Sequence, residues 1–140
     1  VSRPRLLLLA RGARERLRLV DALAATYEIE ALGPDEEALR ALRRSRPALV
    51  LIALAEGGAA DALFTLRAIR TEAGQPPPVA LFDPHGALGA PDHPLPDGIF
   101  TGEATPEALL AFLSALRAGA RPRVEGPRRK PSLLRRLLGR

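Results

Sequence analysis

No cysteine occurs in this sequence, which excludes disulfides and thiolate metal sites and makes a reducing, cytoplasmic interior the expected setting. No apolar run approaches the ~20 residues that span a bilayer. The leucine run in "VSRPRLLLLARG" is too short for a signal-peptide core, and no small-residue cleavage site follows it. The phosphate-cradling patterns G-x-G-x-x-G and G-x-x-x-x-G-K-[ST] are both missing, so no nucleotide cofactor is expected. Ser2, Ser45, Ser114 and Ser132 have no adjacent histidine and sit in no nucleophile elbow, so the chain does not read as an enzyme. Asparagine is absent and Lys130 is the only lysine, an arginine-heavy usage that coding bias in a GC-rich genome accounts for.

What is present suits one domain. A chain of 140 residues buries roughly two thirds of the surface its unfolded form exposes, enough for a core without staples. The net charge of +5 is unevenly placed: residues 121–140 hold eight basic side chains against the single Glu125, a net of +7, which leaves −2 on residues 1–120. Attraction to anionic surfaces therefore belongs to the tail and not to the globular part. The expected division is a folded body over 1–119 and a basic tail over 120–140.

Five apolar segments have strand length: "RLLLLA" (5–10), "YEIEALG" (27–33), "ALVLIALA" (48–55), "PPVALF" (77–82) and "GIFT" (98–101). The first and third are continuous apolar runs, the habit of parallel strands covered on both faces. The second alternates, with Tyr27, Ile29 and Ala31 on one side and Glu28 and Glu30 on the other, which suits an edge. Helical patterns fill most gaps. "ARERLRLVDALAATY" carries Leu17, Val20, Ala24 and Tyr27 at helical spacing, widened by Leu19 and Leu23. "GPDEEALRALRRSRP" has Pro34 for its first turn, acids early and arginines late, as the helix dipole favours. "GAADALFTLRAIRTEAG" offers Leu63, Leu66 and Ile69, and "TPEALLAFLSALRAG" offers Thr105 as N-cap, Pro106 at the first position and a stripe of Leu109, Phe112, Leu113 and Leu116.

The order β-α-β-α-β-α-β-loop-β-α requires right-handed crossovers, hence an α/β fold with a parallel sheet and helices on both faces. Its irregularity is "DPHGALGAPDHPLPD" (83–97), where Pro84, Pro91, Pro94 and Pro96 replace an expected helix with a loop. His85 and His93 lie there with Asp83, Asp92 and Asp97, but nothing fixes their geometry, and a solvated loop without metal is the expectation. Leu88 and Leu95 read either as pins to the sheet or as anchors for a partner.

Over about residues 4–119 the chain resembles the receiver domain of two-component response regulators. "RPALVLIALAEGG" is similar to that family's third strand and turn, and "GIFTGEATPEALLAFLSAL" to its fifth strand, turn and last helix. The resemblance implies a flavodoxin-like, doubly wound five-stranded sheet of order 2-1-3-4-5, with the family's fourth helix replaced here by the Pro-rich loop. It also implies a carboxyl edge that should hold an acidic pair, a phosphate-accepting Asp, a Thr or Ser, and a Lys. Those positions fall on Ala10 and Arg11, on Ala53, on Asp83 or Phe82, and on Gly102. Alanine cannot attack a phosphoryl group, and Arg11 would repel the divalent cation that offsets phosphoryl charge. The expectation is a pseudo-receiver, a docking body whose chemistry has been removed. A guanidinium at Arg11 could pair with Asp83, Glu56 or Glu103 and hold one conformation; the plainer alternative is a solvated Arg at a loop start.

The tail reads in two parts. Arg121 to Pro131, including Arg128, Arg129 and Lys130, is rich in Pro, Gly and Arg and suits an extended linker. After Ser132, Leu133, Leu134, Leu137 and Leu138 would share one face of a short helix, opposite Arg135, Arg136 and Arg140. Two turns are not stable alone in water, so such a helix forms on a surface. An anionic membrane at the inner face, a groove on a partner protein, or an apolar patch of its own domain would each serve. Nucleic acid is the weaker expectation, because the tail has no aromatic to stack on bases. The reading is a non-catalytic signalling module that docks to a protein partner. A phosphorelay receiver using Glu56 or Asp83, or a nucleic-acid-associated regulator acting through the tail, are the alternatives.

Overall fold

Strand and helix alternate along the chain as the apolar pattern requires. The computed structural model describes residues 3–55, 57–72, 74–89 and 95–126. The elements are β1 (Arg5–Leu9), α1 (Ala13–Leu23), β2 (Glu28–Leu32), α2 (Glu36–Ser45), β3 (Leu49–Ala53), α3 (Ala59–Glu72), β4 (Val79–Asp83), β5 (Gly98–Thr101), α4 (Pro106–Arg117) and β6 (Arg123–Glu125). The sheet has the order β2-β1-β3-β4-β5-β6, with every pairing parallel.

The period of two along each strand divides the core in half. Leu6 and Leu8 of β1, Leu49 and Leu51 of β3, and Ala80 and Phe82 of β4 face α1 and α4, where Leu19, Leu23, Leu109, Phe112, Leu113 and Leu116 cover them. Leu7 and Leu9, Val50 and Ile52, and Val79 and Leu81 face α2 and α3, under Ala38, Ala41, Leu42, Leu66 and Ile69. Strands buried on both sides must be apolar at consecutive positions, which is why β1 and β3 read as unbroken runs. β2 is the edge with an alternating sequence: Ile29 and Ala31 pack on the α1 side, and Glu28 and Glu30 meet Arg5 and Arg44.

Helix ends follow local chemistry. Thr105 caps α4, its hydroxyl accepting from the Ala108 amide at 3.1 Å, with Pro106 just inside the helix. Asp35 caps α2 by accepting from the Glu37 amide at 2.9 Å, so Pro34 lies before that helix and not within its first turn. Leu17, expected within the buried stripe of α1, is 65% exposed, while Leu19 and Leu23 are buried. Three leucines and three arginines compete in that helix, and the face that the sheet accepts is centred on residues 19 and 23.

The described parts of the loop that follows β4, residues 84–89 and 95–97, are turns and bends, with Ala87, Leu88 and Leu95 packed on the α3 side of the core. Leu88 and Leu95 thus act as pins, covering apolar surface that an added helix would otherwise cover. The other departure is β6. Within the stretch expected as the start of a flexible linker, Arg123–Glu125 form a strand on the free edge of β5, so the folded body runs beyond residue 119. Asp97 explains the docking. Its carboxylate accepts from the Val79 amide at 2.8 Å and pairs with Arg70 and Arg121, while Arg123 donates to the carbonyl oxygens of Asp97 and Pro96. Arginines that look like linker charge in the sequence are anchors here, and Val124 packs on the α4 side of the core.

Candidate functional site

In a doubly wound sheet the loops after the strands converge at the carboxyl edge, where ligands usually bind. Here that edge gathers Ala10 and Arg11 after β1, Ala53 at the end of β3, Asp83 at the end of β4, and Gly102 and Glu103 after β5. β1 lies beside β3, and β3 beside β4, so the blank end of β3 is at the centre. The methyl of Ala53 is buried with the α1-side core.

Asp83 is the one carboxylate drawn into the interior among the described residues, at 1% exposure. Strand alternation turns it toward the α3 side. Its Oδ1 accepts from the Ala87 amide at 2.7 Å and its Oδ2 from the Leu88 amide at 2.9 Å. Both oxygens are therefore engaged in shaping the 84–89 turn, and Asp83 does not pair with Arg11. Gly102 has φ of 91°, a left-handed backbone that a lysine would adopt only with strain, and its amide donates to the Asp83 carbonyl at 3.0 Å.

Arg11 takes a partner that the sequence did not single out. Its guanidinium lies 3.0 Å from the Asp61 carboxylate in the first turn of α3, with the two side chains 59% and 65% exposed. The pair bridges the β1–α1 turn to α3 in solvent, in place of the expected contacts with Asp83 and Glu103. Glu56 lies outside the described residues, as do His93, Asp92 and the tail residues 127–140. Arg16 was also missed. It donates to the carbonyl oxygens of Ala10 at 2.7 Å and Arg11 at 2.9 Å, placing a cation under the turn that follows β1. No spacing rule could have found it, because its partners are backbone atoms of a turn. Among the described residues no three His, Asp or Glu side chains are grouped to hold a metal ion.

Beside this edge, between α1 and the β5–α4 turn, runs an open cleft of about 700 Å³. Phe82, Leu19 and Leu109 form its floor, and Glu15, Asp21 and Glu103 make its walls acidic, with Arg18 and His85 at the margins. Behind the floor the rings pack edge to face: Phe82 meets Phe100 at 6.0 Å, and Phe100 meets Phe112 at 5.6 Å.

Fold and edge together define a flavodoxin-like, doubly wound α/β domain with an additional sixth strand. Solved structures share this fold. A two-component response regulator of the LuxR family from an Aurantimonas species is 27% identical, with 86% of this chain and 89% of that one covered and a TM-score of 0.65. The signal receiver domain of a modulated diguanylate cyclase from Desulfovibrio desulfuricans is 20% identical, with coverages of 84% and 96% and a TM-score of 0.65. The pseudo-receiver domain of the CikA protein is 22% identical, with coverages of 81% and 96% and a TM-score of 0.58. No family model and no curated protein matches the chain. By fold the chain is therefore similar to the receiver domains of response regulators.

Proposed function

We propose that this receiver-type domain is a non-catalytic interaction module that takes no aspartyl phosphate by the usual route, and that it docks to a protein partner. The observation that carries this reading is the β3 terminus. Ala53 stands where the resemblance puts the acceptor, and an alkyl side chain offers no nucleophile. The surrounding chemistry supports it. Arg11 and Arg16 set two guanidinium groups at the turn where the family holds a cation, and Gly102 offers no amine. Asp83 is a poor substitute acceptor, because each of its oxygens is held by an amide of its own loop, Ala87 or Leu88, and the side chain is buried. The likeness to a pseudo-receiver domain is in keeping with this assignment.

The basic tail is the second attachment point in this reading. Arg128, Arg129, Lys130, Arg135 and Arg136 supply charge for an anionic membrane or an acidic partner, and Leu133, Leu134, Leu137 and Leu138 supply apolar contact. Among the described residues no helix is long and apolar enough to cross a membrane.

Incubation with acetyl phosphate and magnesium, followed by intact-mass measurement, tests the main claim. The expected result is an unchanged mass. A metal-dependent gain of one phosphoryl group overturns it, and mapping that group to Glu56 or Asp83 would establish the phosphorelay alternative.

A further inference from the structure

The acidic cleft beside the carboxyl edge and the basic leucine-rich segment have complementary chemistry, and the chain's path brings them together. β6 runs parallel to β5, so the described chain ends at the carboxyl edge. Its last residue, Gly126, donates its amide to the Thr101 carbonyl at 2.6 Å. The same glycine lies flush against Glu103, where a Cβ would overlap the Glu103 carbonyl oxygen. Glu103 is itself a wall of the cleft. The segment over 127–140 therefore starts at the margin of that cleft.

We infer that the cleft is the docking site of this chain's own segment 132–138, with the leucines seated over Phe82, Leu19 and Leu109 and the arginines directed at Glu15, Asp21 and Glu103. Charge favours the match. Three carboxylates line the cleft against one guanidinium, and residues 127–140 carry six basic side chains and no acid. Reach suffices too, since residues 127–131, if extended, span about 15–18 Å. The cleft's volume falls within the ~300–1,000 Å³ of ordinary binding sites. A short amphipathic helix that is unstable alone gains a surface at high effective concentration, because it is tethered beside it. When docked there, the leucine face is withheld from a membrane or a partner, so the cleft regulates the tail. This inference rests on the tail-attachment part of the proposed function and is independent of whether the domain accepts phosphate.

The absence of cysteine makes the test direct. In the full chain, Ala22→Cys on the cleft side of α1 is combined with Leu134→Cys or, separately, Leu137→Cys, and disulfide formation is followed under mild oxidant. The control pairs the same tail cysteine with Phe64→Cys, which is 74% exposed on α3 across the sheet. The expected result is an intramolecular disulfide at least tenfold faster for the cleft pair, slowed several-fold by Glu15→Lys, Asp21→Lys and Glu103→Lys in a protein that keeps its thermal transition. Equal rates for cleft and control pairs overturn the inference, and sedimentation of that chain on phosphatidylglycerol vesicles would then name lipid as the occupant. Disulfide-linked dimers overturn it in favour of a second copy.

Discussion

The carboxylate of Asp83 holds the amide of Leu88 at 2.9 Å, with the Ala87 amide on its other oxygen, inside a site of 1% exposure. The resemblance puts a hydroxyl at Asp83 or at Phe82, and at Asp83 this chain has a structural acid that organises the loop standing in for a helix. Asp83→Asn keeps one acceptor oxygen and should destabilise the fold by about 1–3 kcal/mol, as expected for a buried charge-assisted bond left unmade. Asp83→Ala, which leaves both amides unpaired, should cost more than Asp83→Asn. Urea unfolding of the three proteins measures both differences.

Arg11 and Asp61 form an exposed pair, and exposed pairs contribute little. Arg11→Glu should lower stability by no more than about 1 kcal/mol, because the pair is replaced by two carboxylates that solvent screens. A loss of several kcal/mol in urea unfolding would mean that the pair locks the domain after all.

Gly126 is closed in by Glu103 and Phe100. Gly126→Ala should push the end of β6 away from β5, break the bond from the residue 126 amide to the Thr101 carbonyl, and cost about 1–3 kcal/mol as overpacking does. Hydrogen exchange reads the local effect: the amide at 126 should lose protection while Leu8 and Leu51, deep in β1 and β3, keep theirs at shared conditions. Unchanged protection at 126 would return this segment to the status of a linker.

Tyr27 is the only tyrosine, so its ionisation can be followed by absorbance without interference. Burial raises its pKa above the ordinary phenol value, and Arg117 opposes that shift only in part. Below the ordinary value the phenol is neutral in both folded and unfolded chains and stability is unaffected. As pH rises above it, the unfolded chain ionises first, so stability falls until the pH passes the folded-state value. Tyr27→Phe should remove that alkaline decline in a series of urea titrations, whereas a decline of equal size in the variant would assign it to other groups.

Much of the fold was legible from local pattern. The unbroken apolar runs of β1 and β3, the alternation of β2, and the Thr105-Pro106 start of α4 are properties of neighbouring residues, and each became the element expected. Three residues of β6 carry no usable period, so "RVE" could not be told from linker until the Asp97 and Pro96 carbonyls were seen to receive Arg123. The site divided the same way. Ala53 and Gly102 could be read by identity alone, since what a methyl or a hydrogen lacks does not depend on context.

Sequence alone determined the alternation of strand and helix, the parallel sheet it demands, and the alkyl side chain of Ala53 at the end of β3, because periodicity and side-chain identity are written residue by residue. Tertiary structure alone decided that Arg11 meets Asp61, that Arg16 sits under the β1 turn, that Asp83 is consumed by its own loop, and that the chain leaves the sheet beside an acidic cleft. Those outcomes depend on which loops converge at one edge, and convergence is set by the packing of the whole sheet.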